Sequence, residues 1–264
     1  KIVEVIAGLN TDESVITKLL AMAKQMGHQG VRTQDTPGFI VNHAGRAYGT
    51  EALKILSEAV TSVSEIDRIL REGVGFRMGP FELLDLTALD VSHPVMESIY
   101  NQYYQEDRYR PSGITRQMLA AKKLGRKVGE GFYKYVDGKK VNEASLQIVP
   151  EVAFFNEVWL KTDLAADADI LKNDLLENGF VIDLNEFPKE NSLILLASYG
   201  EDTTTAALRF GVDPSRSMNI DMLTDFNKHR TLMPSIITQK KYTDQAHAIF
   251  SKNNHSVSVI AESI

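Results

Sequence analysis

Asn42 is the residue whose neighbours best suit it to chemistry. Pro37 and Gly38 break the chain just before it. Pro37 fits a first helical turn, because it lacks the N–H that turn leaves unpaired. Phe39, Ile40, Ala44, Ala47, Tyr48, Ala52, Ile55 and Leu56 then recur at helical intervals and predict a helix from Pro37 to about Val60. Asn42, Gly45 and Gly49 share another face of it. A carboxamide beside two glycines gives a face that a ligand or a second backbone can approach closely. The same residue also suits a cap or a solvated side chain, and spacing does not choose between these roles.

Other chemistry has less support. The 264 residues contain no Cys, so neither a disulfide framework nor a thiolate metal site is available, and no metal site is expected. Of the six His, His28 ends a predicted helix, His93 begins one and His43 adjoins Asn42; solvated or structural roles fit all three. Gly73-Val-Gly-Phe-Arg-Met-Gly-Pro80 is glycine-rich, but it lacks the preceding strand and the Gly-Lys-Ser/Thr ending of a phosphate cradle. No G-x-G-x-x-G follows any predicted strand. A net charge of -6 argues against broad attraction to nucleic acid or anionic membrane. No apolar run approaches the ~20 residues of a membrane span. A cytoplasmic enzyme is the expectation. The opening strand, with no partner before it, suggests an excerpt from a longer polypeptide.

The elements that must position these residues fall into three regimes. Lys1–Ile6 reads as a strand. A helix capped by Asn10 or Thr11 follows, with Val15, Ile16, Leu19, Leu20, Ala23 and Met26 on its apolar face and Gly27 as its stop. Gly30–Asp35 is a second strand, so residues 1–35 form the β-α-β tail of an α/β layer. Residues 36–144 read as a helical bundle. After the Asn42 helix, Ser62-Val-Ser-Glu65 is a capping-box pattern for a helix ending at Gly73. Further helices run from Pro80 to Leu89, from Ser92 or His93 to about Gln105, and from Ile114 to Leu124. Asp137-Gly138 signals a hairpin turn.

From about residue 145 to 264 the α/β rhythm returns. Strands are expected at Val152–Leu160, Phe180–Leu184, Leu193–Ser198, Met218–Leu223 and Ser256–Ala261. Helices are expected at Asp163–Asn178, Asp202–Phe210 and Thr243–Ser251. The unbroken apolar run Leu193–Ser198 predicts a central parallel strand, covered on both faces. Glu4–Asp35 and Leu232–Glu262 share the order strand, helix, strand ending in an acid, as distant repeats would.

The segments Lys1-Ile-Val-Glu-Val-Ile, Asp35-Thr-Pro-Gly-Phe-Ile-Val-Asn, Met78-Gly-Pro-Phe-Glu-Leu-Leu-Asp-Leu and Gly129-Glu-Gly-Phe-Tyr-Lys-Tyr resemble, in order and spacing, the 3-hydroxyacyl-CoA dehydrogenase family. Asn42-His-Ala-Gly-Arg and Asp90-Val-Ser-His-Pro-Val-Met-Glu look most like its long bacterial members, such as those of phenylacetate degradation. Those members carry a second, degenerate dehydrogenase unit, and residues 145–264 are similar to its start. The resemblance implies an α plus α/β chain: a helical C-terminal-type domain followed by a degenerate Rossmann-like parallel-sheet domain.

The resemblance also implies the activity. The family oxidises a 3-hydroxyacyl-CoA to the 3-oxoacyl-CoA and passes hydride to NAD. A His takes the hydroxyl proton and a Glu orients it, because a carboxylate at the far nitrogen fixes the tautomer and stabilises the imidazolium. The family's Glu falls at Glu4, its active-site Asn at Asn42 and a cofactor-contacting lysine at Lys127. Without the resemblance, Glu4 reads as a half-buried strand acid and Lys127 as a charge near a helix C-terminus. The family's His, Ser and glycine loop have no counterpart here, so this chain is expected to be a substrate-side half-site, inactive alone, with NAD bound mainly elsewhere. Family helical domains also pair subunits, which implies a homodimer. The alternative is a non-catalytic helical dimerisation module with an α/β linker domain.

Overall fold

The computed structural model describes residues 1–141, 147–153 and 155–263. The expected domain boundary at 144/145 and the end of the chain at Ile264 lie outside the described residues. By contacts the chain divides into two compact units. One comprises Lys1–Lys54 and Pro80–Val141, the other Ile55–Gly79 and Asn142–Ile264. In chain order the first half holds β1 (Ile2–Ala7), α1 (Glu13–Gln25), β2 (Gln29–Gln34), α2 (Val41–Ala44), α3 (Arg46–Ser57), α4 (Val63–Glu72), α5 (Pro80–Thr87), α6 (Leu89–Gln102) and α7 (Gly113–Ala120). Helix α4 therefore groups with the second unit, although its sequence neighbours are helices of the first.

In the first unit, β1 pairs parallel with β2, placing Glu4 opposite Val31. Helix α1 is capped by Asp12, whose Oδ1 accepts from Ser14 N–H at 2.7 Å, rather than by Asn10 or Thr11. At Gly30 strand and helix pack closely: a Cβ there would come within 3.0 Å of Leu20 and 3.2 Å of Ala23 on α1.

The predicted single helix from Pro37 is two helices, and it starts later. Gly38 (φ +79°) and Phe39 (φ +49°) occupy the left-handed region, so Pro37–Ile40 is a turn and helical geometry begins at Val41. Gly45 then separates α2 from α3. Helix α6 also begins earlier than Ser92 or His93. Ala88, at φ +66°, ends α5, and Leu89 N–H donates to Leu124 C=O at 3.0 Å to start α6. Pro94 consequently lies inside α6, where it withholds the N–H that the Asp90 carbonyl would receive.

Asp85 joins two of the sequence motifs. Fully buried, it accepts from Phe132 N–H (2.9 Å), Tyr133 N–H (2.9 Å) and Tyr135 OH (3.1 Å). The chain passes so close that a Cβ on Gly131 would sit 2.1 Å from Asp85 Oδ1, and one on Gly125 would sit 2.4 Å from the Asp85 carbonyl oxygen. Burial raises the Asp85 pKa, against the pull of those hydrogen bonds and Lys140. The expected hairpin follows as β3 (Tyr135–Val136) and β4 (Lys139–Lys140), antiparallel, with Asp137 and Gly138 both at positive φ, as a type I′ turn requires.

The second unit is built on a six-stranded sheet. It contains β5 (Val158–Thr162), α8 (Ala165–Glu177), β6 (Ile182–Asp183), β7 (Leu193–Ala197), α9 (Thr203–Arg209), β8 (Ser217–Ile220), β9 (His229–Pro234), α10 (Lys240–Phe250) and β10 (Ser256–Val259), in the sheet order β10-β9-β8-β7-β5-β6. All neighbours pair parallel except β8 and β9. The link between those two, residues 221–228, is too short for the crossover a parallel pair needs. Strand β7 is buried throughout and lies between β5 and β8. Val158, Leu193 and Leu195 meet α8 and α10 on one face; Trp159, Ile194 and Leu196 meet α9 on the other. The strand expected from Val152 begins at Val158, and Phe154 within it lies outside the described residues. Both proposed repeat segments are parallel β-α-β units, β1-α1-β2 and β9-α10-β10. The glycine-rich turn before Pro80 is a packing device: a Cβ on Gly79 would overlap the Asp67 side chain at 2.2 Å.

Candidate functional site

The turn at Pro37–Ile40 presents two backbone N–H groups to β1. Glu4 Oε1 accepts from Ile40 N–H at 2.7 Å and from Val41 N–H at 3.0 Å. Helix α2 has no side-chain cap of its own. A carboxylate from the strand therefore satisfies its first donors, as a capping acid does. Gly38 makes this possible, since a Cβ there would press on Ile99 at 2.9 Å and on His43 N at 3.0 Å.

Asn42 sits in the first turn that Glu4 holds. It is exposed and lines a cleft of about 320 Å³ in the first unit together with Gly45, Arg46, Gly49 and Ser92. The walls are mostly apolar: Val41, Leu83, Leu84, Val91, Val95 and Met96. No atom lies within 4 Å of where a Gly49 Cβ would sit, so that glycine keeps the cleft open. The three residues assigned to one face by spacing therefore line one cavity.

Arg46 was not singled out by sequence, although it follows Asn42 by one helical turn. It is half-buried, and its Nε and Nη1 are buried without a partner among the described residues. Burial lowers its pKa.

The structure places Lys127 away from this lining. It follows Gly125 in a short 3-10 turn, Arg126–Val128, and its Nζ pairs with Asp90 on the surface. His43 faces Tyr103 OH, 3.1 Å from Nδ1, and packs on the Tyr103 and Tyr109 rings. His93 lies within α6, buried, with Nδ1 2.9 Å from Thr115 Oγ1. Among the described residues no group of three or more His, Asp or Glu is placed to hold a metal.

The second unit has a cavity of about 310 Å³ beyond the C-terminal ends of β7 and β8, lined by Ser198, Asn219 and Asp221. Open α/β sheets place ligands there. Here α4 contributes Ile66, Ile69 and Leu70 to the lining, which makes it apolar where a pyrophosphate would need donors. Elsewhere in this unit His229 resembles a triad histidine. Its Nε2 lies 3.0 Å from Ser258 Oγ and its Nδ1 3.3 Å from Glu72 Oε2. Both His229 and Ser258 are sealed from solvent. The Ser258 hydroxyl donates to Glu65 at 2.7 Å and accepts from Arg68 at 2.9 Å. The cluster is a buried lock between α4, β9 and β10. Burial, then the Arg68 charge, lowers the His229 pKa.

Comparison with known proteins bears on both units. Residues 38–135 match the C-terminal domain of 3-hydroxyacyl-CoA dehydrogenase. Over 135 residues the chain is 42% identical to the 3-hydroxyadipyl-CoA dehydrogenase of Escherichia coli, covering 51% of this chain and 28% of that protein. It is 38% identical to the mitochondrial hydroxyacyl-coenzyme A dehydrogenase of Mus musculus, again over 51% of this chain and 43% of the relative. A crystal structure of 3-hydroxybutyryl-CoA dehydrogenase from Escherichia coli superposes with a TM-score of 0.76 at 28% identity, over 99% of this chain and 49% of that one. The chain thus spans less than half the length of each. That superposition runs through the helices and the six-stranded sheet alike: the chain is similar in fold to a 3-hydroxyacyl-CoA dehydrogenase over nearly its whole length, and residues 38–135 match that family's C-terminal domain.

Proposed function

We propose that these residues supply the substrate-side half of an NAD-dependent 3-hydroxyacyl-CoA dehydrogenase, which oxidises a (3S)-3-hydroxyacyl-CoA to the 3-oxoacyl-CoA. The carrying observation is Asn42, presented without a partner among the described residues to an apolar cleft, on a helical turn that Glu4 holds from the strand. The apolar walls suit an acyl chain. The carboxamide N–H suits the substrate oxygen where charge develops. Glu4 Oε1 is occupied by the two backbone donors, while its Oε2 has no partner among the described residues. That oxygen is free to orient the imidazole that takes the hydroxyl proton.

The described residues do not fit a dinucleotide by themselves. No strand-to-helix turn carries G-x-G-x-x-G, and Lys127 would have to leave Asp90 to contact a cofactor. The reading places the NAD cradle outside this chain and leaves the chain inactive alone. Residues 1–35 are read as the tail of a Rossmann-type domain. Support comes from the exposed Ile2 of β1, Met22 of α1 and Met26 just past its end, since a parallel pair needs cover on both faces. Residues 36–144 are read as the helical substrate domain and 145–264 as a degenerate Rossmann-like domain.

A homodimer through the helical domain is supported by exposed Leu86 and Val128. The same side chains would serve the alternative, a non-catalytic dimerisation module. A cytoplasmic setting fits, because no helix among the described residues is long and apolar enough to cross a membrane. A place in phenylacetate catabolism rests on the resemblance of the Asn42–Arg46 and Asp90–Glu97 segments.

The test is turnover of acetoacetyl-CoA with NADH. A protein joining these residues to a family dinucleotide domain should catalyse it, and residues 1–264 alone should not. An inactive, folded joined protein would favour the dimerisation module.

A further inference from the structure

We propose that His43 is a positioning residue for Asn42: pinned by Tyr103, it fixes the one-turn helix on which the Asn42 carboxamide stands. The proposal rests on the dehydrogenase reading above and adds a residue to that site.

Helix α2 is only Val41–Ala44. A single turn does not hold itself, because its first hydrogen bonds do not offset the dihedrals they fix. Glu4 holds its first donors from β1, and Gly45 ends it. A grip at one end alone leaves the turn free to swing about that end. His43 supplies a second grip, one residue after Asn42. Its Nδ1 lies 3.1 Å from Tyr103 OH, within hydrogen-bond reach in either tautomer. Its ring centroid stands 5.4 Å from that of Tyr103 and 5.6 Å from that of Tyr109, and the two tyrosine rings are 4.8 Å apart. Three tilted rings in mutual contact hold one another's orientation. None of the three lines the cleft, so their influence on a substrate passes through Asn42.

The backbone is strained where it builds this cluster. Tyr103 caps the end of α6. Tyr104 (φ +53°) and Gln105 (φ +62°) then both lie in the left-handed region, which residues other than glycine avoid. Tyr104 is left exposed, so burial of its own ring does not explain the turn. The return of Tyr109 to Tyr103 and His43 does. Such strain persists where the surroundings over-determine it, and it gathers at functional sites.

Two measurements test this. In residues 1–264 alone, amide hydrogen exchange is followed at Ala44 and Gly45, whose N–H groups donate to the Ile40 and Val41 carbonyls at 2.8 and 2.9 Å. Tyr103→Phe keeps the ring and removes the hydroxyl. It should speed exchange there about tenfold, the change one ordinary hydrogen bond makes in a local opening equilibrium. In the protein joined to its dinucleotide domain, Tyr103→Phe should lower kcat about tenfold with KM unchanged, because a displaced group beside the reacting atoms loses its aim. His43→Phe should do the same, and His43→Asn, which puts an amide where Nδ1 was, should restore part of the rate. In an Asn42→Ala background neither Phe substitution should lower kcat further. The proposal is overturned by unchanged exchange, by unchanged kcat, or by a kcat loss that persists in full without the Asn42 carboxamide, which would make the cluster structural only. Failure of the dehydrogenase reading looks different: no turnover in the joined wild type, with the exchange response of α2 intact.

Discussion

The Glu4 carboxylate accepts from the Ile40 and Val41 N–H groups at 2.7 and 3.0 Å, so a strand acid fixes the helical turn that presents Asn42. In the proposed half-site this one residue has two tasks, capping with one oxygen and offering the other to the imidazole.

The capping task predicts a stability effect in this chain without any ligand. Glu4→Ala should cost about 1 kcal/mol, the usual size of a lost cap. Glu4→Gln, which keeps an acceptor oxygen, should cost less. Urea unfolding of the two variants measures this, and an unchanged midpoint for Glu4→Ala would remove the capping role. In the joined enzyme Glu4→Gln should still lower the rate and shift its pH profile, because the orienting charge is gone.

Gly49 separates cleft from core. It lies in α3 with open space where a side chain would go. Gly49→Ala should stabilise the helix by up to about 1 kcal/mol. Gly49→Leu should fold yet weaken acyl-CoA binding, because the side chain enters the cleft. Thermal melts and ligand titration read the two effects; a destabilised Ala variant would mean the space is needed by the fold.

How much of this was legible in the sequence follows from contact range. The Asn42–Gly45–Gly49 face is local periodicity, and so is the apolar run that became β7. The Glu4 cap joins a strand to a turn more than thirty positions away, and no local pattern reports it. Phe39 in the left-handed region is equally invisible, since Pro37 invites a helix start that Gly38 defers. The antiparallel β8–β9 pair was readable from its short link, but the strand rhythm on either side argued for parallel order. Arg46 carried a signal in its position one turn after Asn42. Its lack of a partner is a property of packing alone.

Two buried histidines set an acid limit. Burial first lowers the pKa of both His229 and His247 below 6.5. The unfolded chain then binds protons that the folded chain refuses, so stability is present above about pH 6.5 and is lost as pH falls through the folded values. Urea midpoints should drop between pH 7.5 and pH 5. His229→Asn should flatten that drop, whereas a midpoint insensitive to pH in that range would contradict the buried neutral state.

Gly131 tests the joint between the two motifs. Gly131→Ala drives a Cβ into Asp85 and should cost on the order of 3 kcal/mol, as overpacking at a rigid contact does. A melt within a degree or two of wild type would show that Asp85 can move aside.

The central claim is that Asn42 acts on the substrate oxygen. The direct measurement is kcat of Asn42→Ala in the joined enzyme, with its melting temperature as control. The account predicts kcat lower by on the order of a hundredfold, the usual loss for one oxyanion donor, with the melting temperature unchanged. A wild-type kcat in the pure, folded variant would contradict it and leave Asn42 a solvated first-turn amide.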